Sequence, residues 1–162
     1  MMTDAEMNLD SFTLDGIWVG QLNAPWLGGL THTIVDGEDS GIVEAQRDCM
    51  RAACTQNSKT LDALKNRLFN EYQNEIYGSV TAFNSDGSEI DFHELTPKFE
   101  NQEQLWATLS ETSINIPPEH RIADNCCFAV SFECNWDEEH GISILFDKSG
   151  NPTDVGGHGD HF

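Results

Sequence analysis

Asp137, Glu138, Glu139 and His140 stand consecutively between two apolar stretches, so four ionisable side chains meet at one point of the chain. Clustered carboxylates can hold hard cations, and a neighbouring histidine can recruit a transition metal. His158, Asp160 and His161 in the tail could complete such a set with His140. The spacing matches no calcium loop, because a D-x-D-x-D-G pattern is absent, and there is no H-E-x-x-H. Adjacent carboxylates in a tight turn also point in different directions, so they do not imply the facing pair that acid–base work needs. A solvated hairpin tip is the simplest reading. Metal binding stays open beside it, as does a tip that orders itself with Asp137 or Glu139 holding His140.

Other chemistries find less support. There is no G-x-S-x-G, and Gly28-Gly29 and Gly156-Gly157 lack the Lys-Ser/Thr of a phosphate loop. Cys49, Cys54, Cys126, Cys127 and Cys134 are odd in number and contain no C-x-x-C. They read as buried reduced thiols rather than a zinc site or a disulfide framework. No residue earns a catalytic role, so the chain reads as a non-enzyme without a cofactor.

Charge is more telling. Against 28 acidic side chains stand 8 basic ones, giving a formal net charge of -20. Such a balance repels nucleic acid and anionic membranes and speeds encounter with a basic partner. Asp36, Glu38 and Asp39 in one turn, and Asp137, Glu138 and Glu139 in another, are the candidate contacts. Trp26, in a Pro/Gly-rich loop, is the candidate aromatic anchor, whereas Trp18, Trp106 and Trp136 read as core. No run is long and apolar enough for a membrane span, and the acidic N-terminus does not resemble a secretory signal. The expected location is the cytoplasm.

The elements that must position these residues follow from periodicity. Cys126, Phe128, Val130, Phe132, Cys134 and Trp136 alternate with Cys127, Ala129, Ser131, Glu133 and Asn135, which predicts a strand with one buried and one wetter face. Ile142, Ile144 and Phe146 return as its hairpin partner. Phe12 to Leu22 reads as one strand with a bulge or close backbone contact at Gly16, and Thr31 to Val35 as another. Apolar residues at three- and four-residue spacing predict helices over Ile42 to Cys54 and Leu61 to Tyr77, the second capped by Ser58 or Thr60. Asn101 and Gln104 resemble a capping box opening a short third helix. Asn84-Ser85-Asp86-Gly87 suggests a small hairpin, and Ile114 and Ile116, ended by Pro117-Pro118, an edge strand or an extended segment. Thr153 to Val155 reads as a last strand. Nine Phe and four Trp can build a core. The expected architecture is α+β, a mostly antiparallel sheet packed against a helical pair plus a short third helix. It comprises a flexible lead-in over 1–10, one domain over 11–156 and a flexible tail over 157–162.

From Phe132 through Trp136-Asp137-Glu138-Glu139-His140-Gly141 to Ile142 the chain resembles a widespread bacterial family of unknown function. Its members are small and acidic and end in a strand, a W-D-x-E-H-G turn and a second strand. The similarity extends loosely over most of the chain. It implies a single α+β domain acting as an immunity or accessory protein beside polymorphic toxins, and brings no catalytic residues. The tail His158-x-Asp160-His161 is not part of the pattern. Within the signature, Trp136, Asp137, Glu139, His140 and Gly141 either hold the turn or form a recognition surface; Trp, Asp and Gly at a strand end favour the former.

The expected function is therefore a small acidic binding protein of the immunity type that neutralises a basic partner such as a toxin domain. The alternatives are a metal-binding module or metal-dependent enzyme built on the turn, and a non-catalytic scaffold.

Overall fold

Among the described residues, seven strands follow one another in space in the order in which they follow in sequence. The computed structural model describes residues 2–37, 41–79, 81–157 and 161, with Phe92 and His93 described by their backbone alone. Strands β1 (Thr13–Asp15), β2 (Ile17–Ala24) and β3 (Gly29–Val35) form one antiparallel meander. Strands β4 (Ser110–Ile116), β5 (Phe128–Glu133), β6 (Ile142–Phe146) and β7 (Pro152–Gly156) form a second. A parallel pairing of β3 with β4 joins them. The α+β architecture with a mostly antiparallel sheet is thus the one read from the sequence.

The connection between β3 and β4 carries the principal helices, α2 (Glu44–Cys54) and α3 (Ser58–Glu71), the latter prolonged by a π turn over Tyr72–Ile76. Before them, α1 (Asp4–Met7) falls within the lead-in expected to be flexible, and its Met7 is fully buried. Short helices α4 (Phe92–Leu95), α5 (Gln102–Trp106) and α6 (Glu119–Ile122) complete the set among the described residues, and none is long and apolar enough to cross a membrane. Asn101 caps α5 as expected, its Oδ1 accepting from the Gln104 N–H at 3.0 Å. For α3 the cap is Asn57, accepting from the Lys59 N–H at 2.9 Å, so the helix starts a residue or more before Ser58 or Thr60 could cap it.

The helices cover one face of the sheet. Leu22, Val35, Ile114, Ile116, Phe128, Val130, Ile144 and Phe146 lie there, nearly inaccessible, against Met50, Leu64 and Leu68. Apolar burial on this scale is the main favourable term in the fold.

Three sequence expectations change. Phe12 to Leu22 is a hairpin rather than one strand: the chain reverses at Gly16, whose φ of +74° suits glycine, and Asp15 pairs with Ile17. Strand β4 is interior rather than an edge, because Pro117-Pro118 ends it only after Thr33 and Ile114, and Val35 and Ile116, have paired. The Asn84–Gly87 turn closes only an isolated bridge between Phe83 and Glu89.

Candidate functional site

Residues facing away from the helices build a groove of about 360 Å³ on the sheet, lined by Ile17, Ile34, Asp36, Ser113, Asn115, Ala129, Ser131, Ser143 and His161. Its floor is a directed chain of hydrogen bonds. Asn115 Nδ2 donates to Ser131 Oγ at 2.9 Å, and Ser131 Oγ donates to Ser143 Oγ at 3.1 Å. Ser143 Oγ lies 3.1 Å from His161 Nδ1, and His161 Nε2 lies 3.2 Å from Asp154 Oδ2. With the proton of His161 on Nε2, every hydroxyl in the chain both donates and accepts. Register explains the assembly: Ser131 lies opposite Ser143, which lies opposite Gly156, two residues from Asp154.

The wetter face expected for β5 is consequently dry at its centre. Ala129, Ser131 and Ser143 are buried beneath the ring of His161, itself only 5% exposed. The residue types of Ser143, His161 and Asp154 are those of a hydrolytic triad. A nucleophile also needs donors aimed at a developing oxyanion. Ser143 sits in mid-strand, where the flanking backbone is engaged with β5 and β7. The arrangement fixes the floor and His161 on it, and leaves acceptors at the groove wall, Asp36 foremost.

Asp36 ends β3, where its N–H donates to the Ile116 carbonyl at 3.0 Å. Its own carbonyl receives Gln46 Nε2, which also donates to Pro117 O at 3.1 Å, so a buried amide locks this end of the sheet to α2. Glu38 and Asp39, expected beside it, lie outside the described residues. The second acidic turn is elsewhere: β3 and β4 end together at Val35 and Ile116, whereas β5 runs the other way and reaches the tip only after Glu133. Six residues of strand at about 3.3 Å each separate Asp36 from that tip by roughly 20 Å. They flank the open face from opposite ends rather than forming one cluster.

The tip orders itself through Asp137. Its Oδ1 accepts from the His140 N–H at 3.1 Å and lies 3.0 Å from His140 Nδ1, while its carbonyl accepts from the Gly141 N–H at 2.9 Å. Trp136 packs edge-on against Tyr72 at 5.0 Å and Phe99 at 5.9 Å, anchoring the strand end. Glu138 and Glu139 are exposed. Beside the tip, Glu71, Ser79, Trp136, Asp137 and His140 line a second cavity of about 310 Å³. Of the proposed metal set, His158 and Asp160 lie outside the described residues, and the other two members are apart. His140 belongs to the tip, whereas His161 spends both ring nitrogens on Ser143 and Asp154. Among the described residues no group of three or more His, Cys, Asp or Glu is placed to hold a metal ion.

Trp26 is a correction. It is 8% exposed, not a surface anchor, and its Nε1 donates to the Ala53 carbonyl at 2.6 Å. The last carbonyls of a helix lack intrahelical partners. Here Arg51 O receives the Thr55 N–H, Ala52 O receives Gln56 Nε2, and Ala53 O receives Trp26. A Pro/Gly loop exposes its backbone more readily than its largest side chain, which turns inward onto Phe128 and Phe146.

Sequence reasoning had not singled out Asn115, Ser131, Ser143 or Asp154. The available signal was small polar residues at alternate positions of strongly apolar strands.

Residues 8–162 match the family described as Domain of unknown function (DUF6985), and the chain belongs to that family. No curated protein and no solved structure matches it.

Proposed function

We propose that this DUF6985 member is an acidic, non-catalytic binding protein of the immunity type, which neutralises a basic partner such as a toxin domain in the bacterial cytoplasm. It would do so by laying the helix-free sheet face over the partner's cationic surface. The observation that supports this most is where the cations are not: none of the eight Lys and Arg residues lies in any strand. Several are already engaged on the helical side, Lys65 with Glu103 at 3.2 Å and Arg51 with Asp48 at 2.7 Å. The open face instead carries Asp15, Glu133 and Asp154 in its strands and Asp36 at the groove. An incoming lysine or arginine therefore meets carboxylates and neutral acceptors along the strands, with Arg121, whose Nη2 donates to the His161 carbonyl at 3.5 Å, as a cation at the margin. Such complementarity acts on association rate and selectivity first, and salt weakens it.

The test is capture from a lysate with three baits. The wild type is compared with a sheet-face triple variant, Asp36→Lys/Glu133→Lys/Asp154→Lys, and with a charge-matched control, Asp62→Lys/Glu75→Lys/Asp124→Lys. One basic protein should be recovered by the wild type and the control at low salt and lost from the sheet-face variant and at high salt. Expressed alone, that protein should arrest growth, and co-expression should relieve the arrest. Equal loss from both variants would reduce the effect to bulk charge and overturn the assignment of the face.

A further inference from the structure

Cys49 and Cys127 bring two thiols together across the seam between α2 and the sheet. Cys49 lies within α2, and Cys127 immediately precedes β5, its N–H donating to the Phe146 carbonyl at 3.0 Å. Helix α2 therefore holds one sulfur, and a residue tied to β6 by its backbone holds the other. Both are free and buried, and each thiol shifts the titration of the other. With Ala45, Asp48, Ala52, Ile122 and Lys148 they line a cavity of about 270 Å³, ample for a small oxidant.

The pair is electrically unequal. Cys127 holds the Cys49 thiol below its ordinary range, and Lys148 adds to this against burial and Asp48. Cys127 is raised, first by Cys49 and then by burial. Burial pushes Cys54 up to about 12, and Cys134, also through burial first, up to about 11. Reactive thiols are those that reach the thiolate beside a cation, whereas thiols in apolar surroundings are inert. Lys148 lines this cavity and favours the thiolate of both members of the pair, which burial alone would suppress.

We propose that Cys49 and Cys127 are a peroxide-oxidisable pair that closes to a disulfide between α2 and the start of β5. The Cys49 thiolate attacks one oxygen of hydrogen peroxide and the O–O bond breaks. The sulfur is oxidised by two electrons to a sulfenic acid, and the departing hydroxide takes a proton to become water. Cys127 sulfur then attacks Cys49 sulfur, the S–O bond breaks, and the second water leaves with the Cys127 proton. Overall, two thiols lose their hydrogens and one peroxide becomes two waters. The pair lies on the helical side of the sheet, so its oxidation and the capture of a partner by the open face can be tested separately.

The experiment titrates fully reduced, full-length protein with hydrogen peroxide and maps its peptides without reduction by mass spectrometry. The expected product links Cys49 to Cys127, with two of the five thiols lost and both restored by dithiothreitol. In Cys127→Ser, oxidation should stop at Cys49 and be trapped there by dimedone; in Cys49→Ser, both link and adduct should disappear. Oxidation spread over Cys54, Cys126 and Cys134 as readily as over Cys49 would overturn the proposal. So would a link between other cysteines, or no loss of thiols at peroxide levels that oxidise free cysteine. The wild-type map stands whether or not the variants fold.

Discussion

Trp26→Phe removes one donor and part of one ring from a site where both are used. The lost N–H leaves the Ala53 carbonyl, at the buried end of α2, without its 2.6 Å partner. An orphaned buried polar group costs about 1–3 kcal/mol. The smaller ring leaves space beside Phe128 and Phe146, which Trp26 meets at 6.4 and 6.0 Å in edge-to-face geometry, and that adds about 1 kcal/mol. The sum for Trp26→Phe is roughly 2–4 kcal/mol, and Trp26→Ala should reach about 3–5 kcal/mol or slightly more. Domains are typically stable by only about 5–15 kcal/mol, so either change is a large fraction of the whole. Urea unfolding at 25 °C, followed by far-UV circular dichroism, reads the loss as a lower midpoint at unchanged slope. An unfolding free energy within about 0.5 kcal/mol of wild type, a size ordinary for surface substitutions, would refute the burial argument. Loss of partner capture alongside that unchanged stability would return Trp26 to the surface as a binding anchor.

Gly20→Ala would place a methyl 2.7 Å from Phe12 Cγ and 2.8 Å from Ser11 Oγ, so the segment packed on β2 must move. The expected cost is about 1–3 kcal/mol, measured by the same unfolding curve. His161→Ala uncovers Ser143 and breaks the floor of the groove, and should cost about 1–3 kcal/mol in thermal unfolding while leaving α2 and α3 intact by circular dichroism. Cys54 and Cys134 keep their protons in the fold up to about 12 and about 11, well above the ordinary thiol value near 8.5. Their contribution is therefore complete below about pH 8.5 and is lost as pH rises through about 11–12, because the unfolded chain then binds fewer protons. Cys54→Ala should flatten the decline in stability between about pH 9 and 11, as read from unfolding midpoints across that range.

What could be read in advance divides by how local the signal is. The β5–β6 hairpin, α2, α3 and the Asn101 cap each rest on a period or a pair within a few residues, and they stand where periodicity puts them. Strand β4 was misplaced because Pro117-Pro118 says where a strand stops and nothing about which neighbours it has. Its parallel partner β3 is more than seventy residues away in sequence. Trp26 was misplaced because a loop's composition describes its backbone, and the carbonyl that draws its indole inward belongs to a helix not yet formed. The groove was illegible for a third reason. Ser131 and Ser143 become neighbours only through the register of β5 on β6, and His161 reaches them only when β7 has returned Asp154 to the same face. The tip was partly legible: Asp137 holds His140, one of the arrangements the residues allowed.

The agreement between spatial and sequential strand order sets a timetable for the chain as it is made. Strands β1 to β3 can pair as soon as they leave the ribosome, since each turn between them is short. The outer edge of β3 then waits, its N–H and C=O groups unpaired, until β4 emerges. At about 5–20 residues per second, the interval from Val35 to its partner Ile116 is roughly 4–16 s. An exposed strand edge is a template for unwanted pairing. Through that interval, α2 and α3 are synthesised before any of the second meander exists. The nascent chain thus passes through a stage in which half a sheet, a helical pair and an open edge coexist, and slower translation between Asp36 and Ser110 lengthens it.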